Sequence, residues 1–318
     1  MALSVEERIV QLQAKVEAVA PTDTMAEAGR KVLLAELIKM LQHEAGSRTG
    51  EDVEDVHDMR VAIRRMRSAF RLLAPYYKAK DVRPYSKALQ GLGWTLGDVR
   101  DLDVLIDNLR AFQLTLNADD QADLQTTIDA LDERRAAARE ALLQALDSKT
   151  YRHFLKDFGE FVTTPIAKKE SNVVVPSQVR HLLPILIYDR MAAVRAYEDV
   201  LENADSEKLH ALRIEFKRLR YTLSLFESVL GTTLGEFVDE LKTAQDTLGH
   251  LNDGTTARAS LDELLKGSDD HRSDALNAYF NHLEADHDKL LADFKTHWER
   301  FNSRKAQEKL SKAVLALR

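Results

Sequence analysis

The 318-residue sequence contains no cysteine. Disulfides and thiolate metal sites are thereby excluded, and a reducing compartment fits, so a cytoplasmic protein is expected. Glycine and proline are scarce, 12 and 6 in the whole chain. Both punctuate regular elements, so their scarcity predicts long helices with short connections. Strong helix formers dominate instead. No apolar run approaches the roughly 18 residues needed to cross a bilayer, so no membrane association is expected. The start, MALSVEERIVQLQAKVEAVA, reads as an amphipathic helix over 4–19, with Val5, Ile9, Leu12, Val16 and Val19 interrupted by charges, and not as a signal peptide. The predicted class is all-α, and 44% hydrophobic residues suffice for a substantial core.

Net charge is −7, which argues against non-specific coating of nucleic acid. Its distribution says more. Residues 57–71 carry +4 and residues 207–220 carry +3, so the rest of the chain carries −14. An acidic protein that gathers its positive charge into two short segments is arranged to attract a compact anion to one place.

Those segments are copies of one another. HDMRVAIRRMRSAFRLL at 57–73 aligns with HALRIEFKRLRYTLSLF at 210–226, an offset of 153 residues. LGDVRDLDVL from Leu96 aligns with LGHLNDGTTA from Leu248, an offset of 152. Two matches in the same order indicate a duplicated unit. The first unit is expected to hold helices at about 23–45, 52–74, 84–96, 101–116 and 118–147, broken by Gly46, Gly50, Pro75, Pro84, Gly97 and Asn117. The second is expected to hold helices at about 177–203, 206–230, 233–248 and 253–266, and one from 269 to the end. KKESNVVVPS at 168–177 lacks helical periodicity, which places a boundary near 170 and divides the chain into 1–170 and 171–318. Val173, Val174 and Val175 are a candidate short extended piece.

Val56, Met59, Ile63, Met66, Phe70 and Leu73 follow 3,4,3,4,3 spacing, as do Leu209, Leu212, Phe216, Leu219, Leu223 and Phe226. These are core stripes. One position later in each step lie His57, Arg60, Arg64, Arg67 and Arg71, and in the second copy His210, Arg213, Lys217 and Arg220. At ~100° per residue this row runs beside the stripe, about a quarter-turn away, with Arg65 and Arg218 flanking it. Cations at the edge of a packing seam have their stems held and their heads turned to a groove. His57 and Arg71 are ~21 Å apart along the axis, with a cation about every turn, which suits an elongated, repetitively charged anion. Arginine forks donate two hydrogen bonds to phosphate oxygens, and the like charges repel one another when no ligand is present. Tyr221, whose counterpart is Ser68, is placed to stack or hydrogen-bond at the same groove. The row does not otherwise interleave aromatics with cations, which disfavours nucleic acid as partner.

Other constellations point to less. Asp98, Asp101 and Asp103 are candidate magnesium ligands, but after Gly97 they suit the start of a helix better, and they could pair with motif arginines. The second copy has Asn252 and Asp253 there, and His57-Asp58, a metal-binding pair elsewhere, becomes His210-Ala211. His282, Glu284 and His287 lie on a polar helix face and are expected at the surface. There is no phosphate loop, dinucleotide turn or nucleophile elbow. No metal, cofactor or catalytic residue is therefore assigned. Beside a binding protein, two alternatives stay open. One is a metal-dependent phosphohydrolase or phosphotransferase acting in the same groove on a phosphate-bearing polyanion or nucleotides. The other is an adaptor whose groove receives an acidic partner or nucleic acid.

The four stretches VHDMRVAIRRMRSAFRLL, LGDVRDLDVL, LHALRIEFKRLRYTLSLF and LGHLNDGTTA together resemble the CHAD family, the conserved histidine α-helical domain. The resemblance implies two antiparallel four-helix bundles related by pseudo-twofold symmetry, with a basic groove between them. It also implies inorganic polyphosphate as ligand and association with polyphosphate granules. By position, His57, Arg60, Arg64, Arg65, Arg67, His210, Arg213, Lys217, Arg218 and Arg220 would line the groove. Arg71 faces Ser224 in the alignment, so the two halves need not contribute equally. Many members carry a CYTH triphosphate-tunnel domain, whose Glu-x-Glu-x-Lys pattern does not occur in these residues.

Overall fold

The computed structural model describes residues 4–166, 174–265, 274–285 and 287–317. Among them are helices α1 (Val5–Gln13), α2 (Met25–Gln42), α3 (Glu44–Thr49), α4 (Val53–Leu73), α5 (Ala79–Gln113), α6 (Ala118–Asp147) and α7 (Lys149–Thr163). The second half adds α8 (Val179–Arg195), α9 (Ser206–Leu225), α10 (Glu227–Leu230), α11 (Gly235–Leu265), α12 (Asp274–Ala285), α13 (His287–Asn302) and α14 (Arg304–Leu315). The fold is all-α, with no strand among the described residues and one isolated bridge between Thr24 and Gln178. That bridge is part of a clasp. The Met25 amide donates to the Ser177 carbonyl and the Val179 amide to that of Asp23, so the chain entering α8 is tied to the start of α2.

The motif helices form where the apolar spacing places them. Val56, Met59, Ile63, Met66, Phe70 and Leu73 of α4 are buried, as are Leu209, Leu212, Phe216, Leu219, Leu223 and Phe226 in and just beyond α9. Their starts match too, because Asp52 caps α4 through the Glu54 amide and Asp205 caps α9 through the Lys208 amide. α4 packs against α2 and α5, α9 against α8 and α11, and α4 and α9 against each other. One apolar cluster runs from Leu12 to Leu317 through both halves. A smaller cluster joins Leu105 and Ile106 of α5 and Ile128 of α6 to Leu261 of α11 and Tyr279 of α12.

Five expectations need correction. The helix expected over 4–19 ends at Gln13, so Val16 and Val19 lie beyond it. α5 runs unbroken through Pro84 and Gly97, so Asp98, Asp101 and Asp103 do not begin a helix. Pro84 removes one bond near the start of a helix whose later turns are secured by buried Leu89, Leu92, Leu96 and Val99. α11 likewise runs through Gly249. α7 was not expected at all. It starts where Ser148, the residue after α6, accepts from the Tyr151 amide, and it buries Tyr151, Phe154, Leu155, Phe158 and Val162. Last, the stretch expected as one helix from 269 onward includes three, with Ser303 capping α14 through the Ala306 amide. Val174 and Val175 are non-helical as read, and Val173 lies outside the described residues.

Candidate functional site

α4 and α9 cross near Ser68 and Tyr221, and the crossing sorts the cations expected to act together. Arg64 is at its centre. Its guanidinium lies 5.6 Å from the centre of the Tyr221 ring, and that of Arg220 lies 5.4 Å from it, so one aromatic ring holds a cation from each helix. The Nε atom of Arg64 is buried without a hydrogen-bond partner. Burial lowers the pKa of this guanidinium, and Arg60, Arg220 and Arg213 lower it further. Like charges from both helices thus converge on a desolvated arginine, and no carboxylate ion-pairs with it among the described residues. Arg213 repeats the pattern with a buried Nε that has no partner.

Glycines on α5 and α11 make room for these heads. A Cβ on Gly97 would sit 3.5 Å from the Arg60 guanidinium, and one on Gly249 would sit 3.7 Å from that of Arg213. Both are ordinary contact distances, so the shared Leu-Gly of the second repeat sets equivalent arginines beside the same position of the packed helix. One turn earlier the copies diverge. Arg67 approaches Gly93, whose Cβ would meet its Nη1 at 3.2 Å, whereas Arg220 donates from Nε to Gln245 at 2.8 Å. Burial and the neighbouring Arg71 lower the Arg67 pKa. Arg60 differs from Arg64 in having an anion at hand, Asp101 at 3.0 Å.

His57 is half-buried at the head of the first row. Burial lowers its pKa, with Arg100 and Arg64 adding to the effect. His210 is exposed and Lys217 half-buried on the second row. Arg65 turns away from the row, with its Nε 2.8 Å from the buried Glu36 carboxylate and its Nη2 donating to the Ser224 carbonyl at 3.4 Å. Arg218 pairs with Glu215. Together with Arg71 and Tyr221 it lines a cavity of about 300 Å³ that also receives Arg190 from α8. Sequence reasoning missed Arg190, because no repeated motif surrounds it in α8. Only the packing of α8 on α9 brings it to the crossing.

The three candidate aspartates of α5 have different surroundings. Asp98 is exposed, Asp101 is held by Arg60, and Asp103 is buried, its pKa raised by burial, with Arg135 at 3.7 Å. The side chains of Asn252, Asp253 and His287 lie outside the described residues. His282 is exposed and stacks on Phe112 at 5.3 Å, and Glu284 pairs with Arg258.

Fold and site together define an all-helical protein in which two duplicated arginine helices cross over a shared cationic centre. The model described as CHAD domain matches residues 31–262, and the chain belongs to that family. Two solved structures share its fold. The CHAD domain from the plant Ricinus communis is 22% identical with a TM-score of 0.66, covering 94% of both chains. PptA from Streptomyces chartreusis is 14% identical with a TM-score of 0.63, covering 88% of this chain and 99% of its own. No curated protein matches the chain. Among the described residues, no helix is long and apolar enough to cross a membrane.

Proposed function

We propose that this protein binds inorganic polyphosphate as a non-enzymatic module, along the row headed by His57, Arg60, Arg64 and Arg67 on α4 and by His210, Arg213, Lys217 and Arg220 on α9. The observation that carries the reading is Arg64, a half-buried cation with a buried, unsatisfied Nε and three more arginines around it. Such a group is costly unless an anion completes it, and a chain of linked phosphates supplies several anions at once. Membership in the CHAD family supports the ligand's chemistry, and binding to the polymer would place the protein at polyphosphate granules.

The same reading takes 1–170 and 171–318 as two bundles related by a pseudo-twofold axis through the crossing. Matched caps at Asp52 and Asp205 support it, as do reciprocal contacts under the repeat offset. Arg65 reaches Ser224, and their equivalents Arg218 and Arg71 line one cavity.

The test is a titration with long-chain polyphosphate and with duplex DNA at equal phosphate concentration. Polyphosphate is expected to bind more tightly, and the double variant Arg64→Ala, Arg213→Ala to lose about 100-fold in affinity with helicity unchanged. DNA binding as tight as polyphosphate binding, or affinity retained by the double variant, rules the reading out. Release of phosphate with magnesium or manganese that survives purification would convert the module into an enzyme.

A further inference from the structure

Tyr221 belongs to two spaces. Towards Arg64 and Arg220 it forms part of the cationic row, yet neither of those arginines lines the cavity of about 300 Å³ on which Tyr221 also borders. That cavity lies between α4, α8 and α9, walled by Arg71, Arg190 and Arg218 with Leu72, Leu225 and the tyrosine. We infer that it is a separate site for a small organic phosphate, a phosphomonoester with an apolar or aromatic body.

Three observations select that chemistry over the polymer. The first is charge. Asp189 lies 3.3 Å from Arg190 and Glu215 pairs with Arg218, while Arg71 has no ion-pair partner among the described residues. The cavity is left with about one net positive charge, enough for one compact anion and too little for a polyanion. Its walls are the second. Leu72, Leu225 and the Tyr221 ring gain from covering apolar surface, which a phosphate polymer does not offer and an organic ester does. The third is the tyrosine itself. Tyr221 is 8% exposed, and its hydroxyl is buried without a hydrogen-bond partner. A phosphate or ester oxygen that reached it through a small shift of its neighbours would satisfy it. The volume lies at the small end of ligand pockets, as a monoester requires.

The inference stands independently of the polymer groove, and the experiment keeps the two apart. Phenyl phosphate, inorganic phosphate and long-chain polyphosphate are titrated calorimetrically against the full chain and against Arg190→Ala and Leu72→Trp, with helicity checked by circular dichroism. Leu72→Trp fills the space and leaves every charge in place. Phenyl phosphate is expected to bind at least about tenfold tighter than inorganic phosphate, and either variant to weaken it about tenfold while polyphosphate affinity moves less than about twofold. Equal affinity for the two small phosphates overturns the inference, as does phenyl phosphate binding that survives both variants. So does loss of phenyl phosphate binding in the Arg64→Ala, Arg213→Ala protein on the scale seen in Arg190→Ala, which would put the ester in the groove.

Discussion

Adjacent arginines at one crossing carry opposite duties. Arg64 faces other cations, and its Nε has no partner. In the free protein Arg64→Met keeps the apolar stem while removing like-charge repulsion and an unsatisfied buried donor. It is expected to raise stability by about 1 kcal/mol in urea denaturation and to lower polyphosphate affinity. Arg65 faces the buried Glu36, whose second partner is Lys39 at 3.1 Å. Arg65→Ala should therefore cost about 2 kcal/mol, less than the ~3–5 kcal/mol of a fully orphaned buried charge, with affinity nearly unchanged. The reverse pattern would exchange the roles of the two residues. His57 adds a pH dependence. Its pKa in the folded protein is below histidine's ordinary value, so the unfolded chain binds the proton more readily. The contribution of His57 to stability is full above about pH 6.5 and is lost as pH falls below that value. A bound polyanion favours the charged imidazole, so polyphosphate binding should take up a proton and tighten on acidification from pH 7.5 to 6, and His57→Gln should flatten that dependence.

The motif helices were the most legible elements. Spacing alone placed them at 52–74 and 206–230, against Val53–Leu73 and Ser206–Leu225 observed, because an unbroken apolar stripe with an aspartate cap leaves little freedom. Glycine misled the reading at Gly97. Its intrinsic penalty in a helix is about 1 kcal/mol, but here flanking leucines anchor the helix and an arginine from the next helix packs alongside the glycine. That dependence is long-range and leaves no local mark. The aromatic stripe of α7 did leave one, in Tyr151, Phe154, Phe158 and Val162, and was hidden by the helix formers of α6 running straight up to Ser148. The glycines give the helices their own test. Gly97→Leu or Gly249→Leu fills the space beside Arg60 or Arg213 without altering charge. Each should lower polyphosphate affinity about tenfold in fluorescence-detected titration, whereas Gly91→Ala, with open space around it, should leave it unchanged.

At the scale of the molecule, charge is segregated. With −14 spread outside the two motif segments, a polyanion is repelled by most of the surface and drawn only to the crossing. About six engaged cations predict a logarithmic dependence of affinity on salt with a slope of roughly −4, taking the coefficient of flexible single strands. A slope near zero would mean that the ligand is held by something other than charge.

The helices of the two halves meet at the α4–α9 crossing, at the clasp of α2 on the chain entering α8, and where α5 and α6 join α11 and α12. Fastening at three separated places opposes a swing of one half about any one of them. The proposed site would then be preformed, and capture of a polymer would need no closing step. Its association rate should follow electrostatic attraction alone, rising towards the diffusion limit as salt is withdrawn and showing no plateau at high ligand concentration.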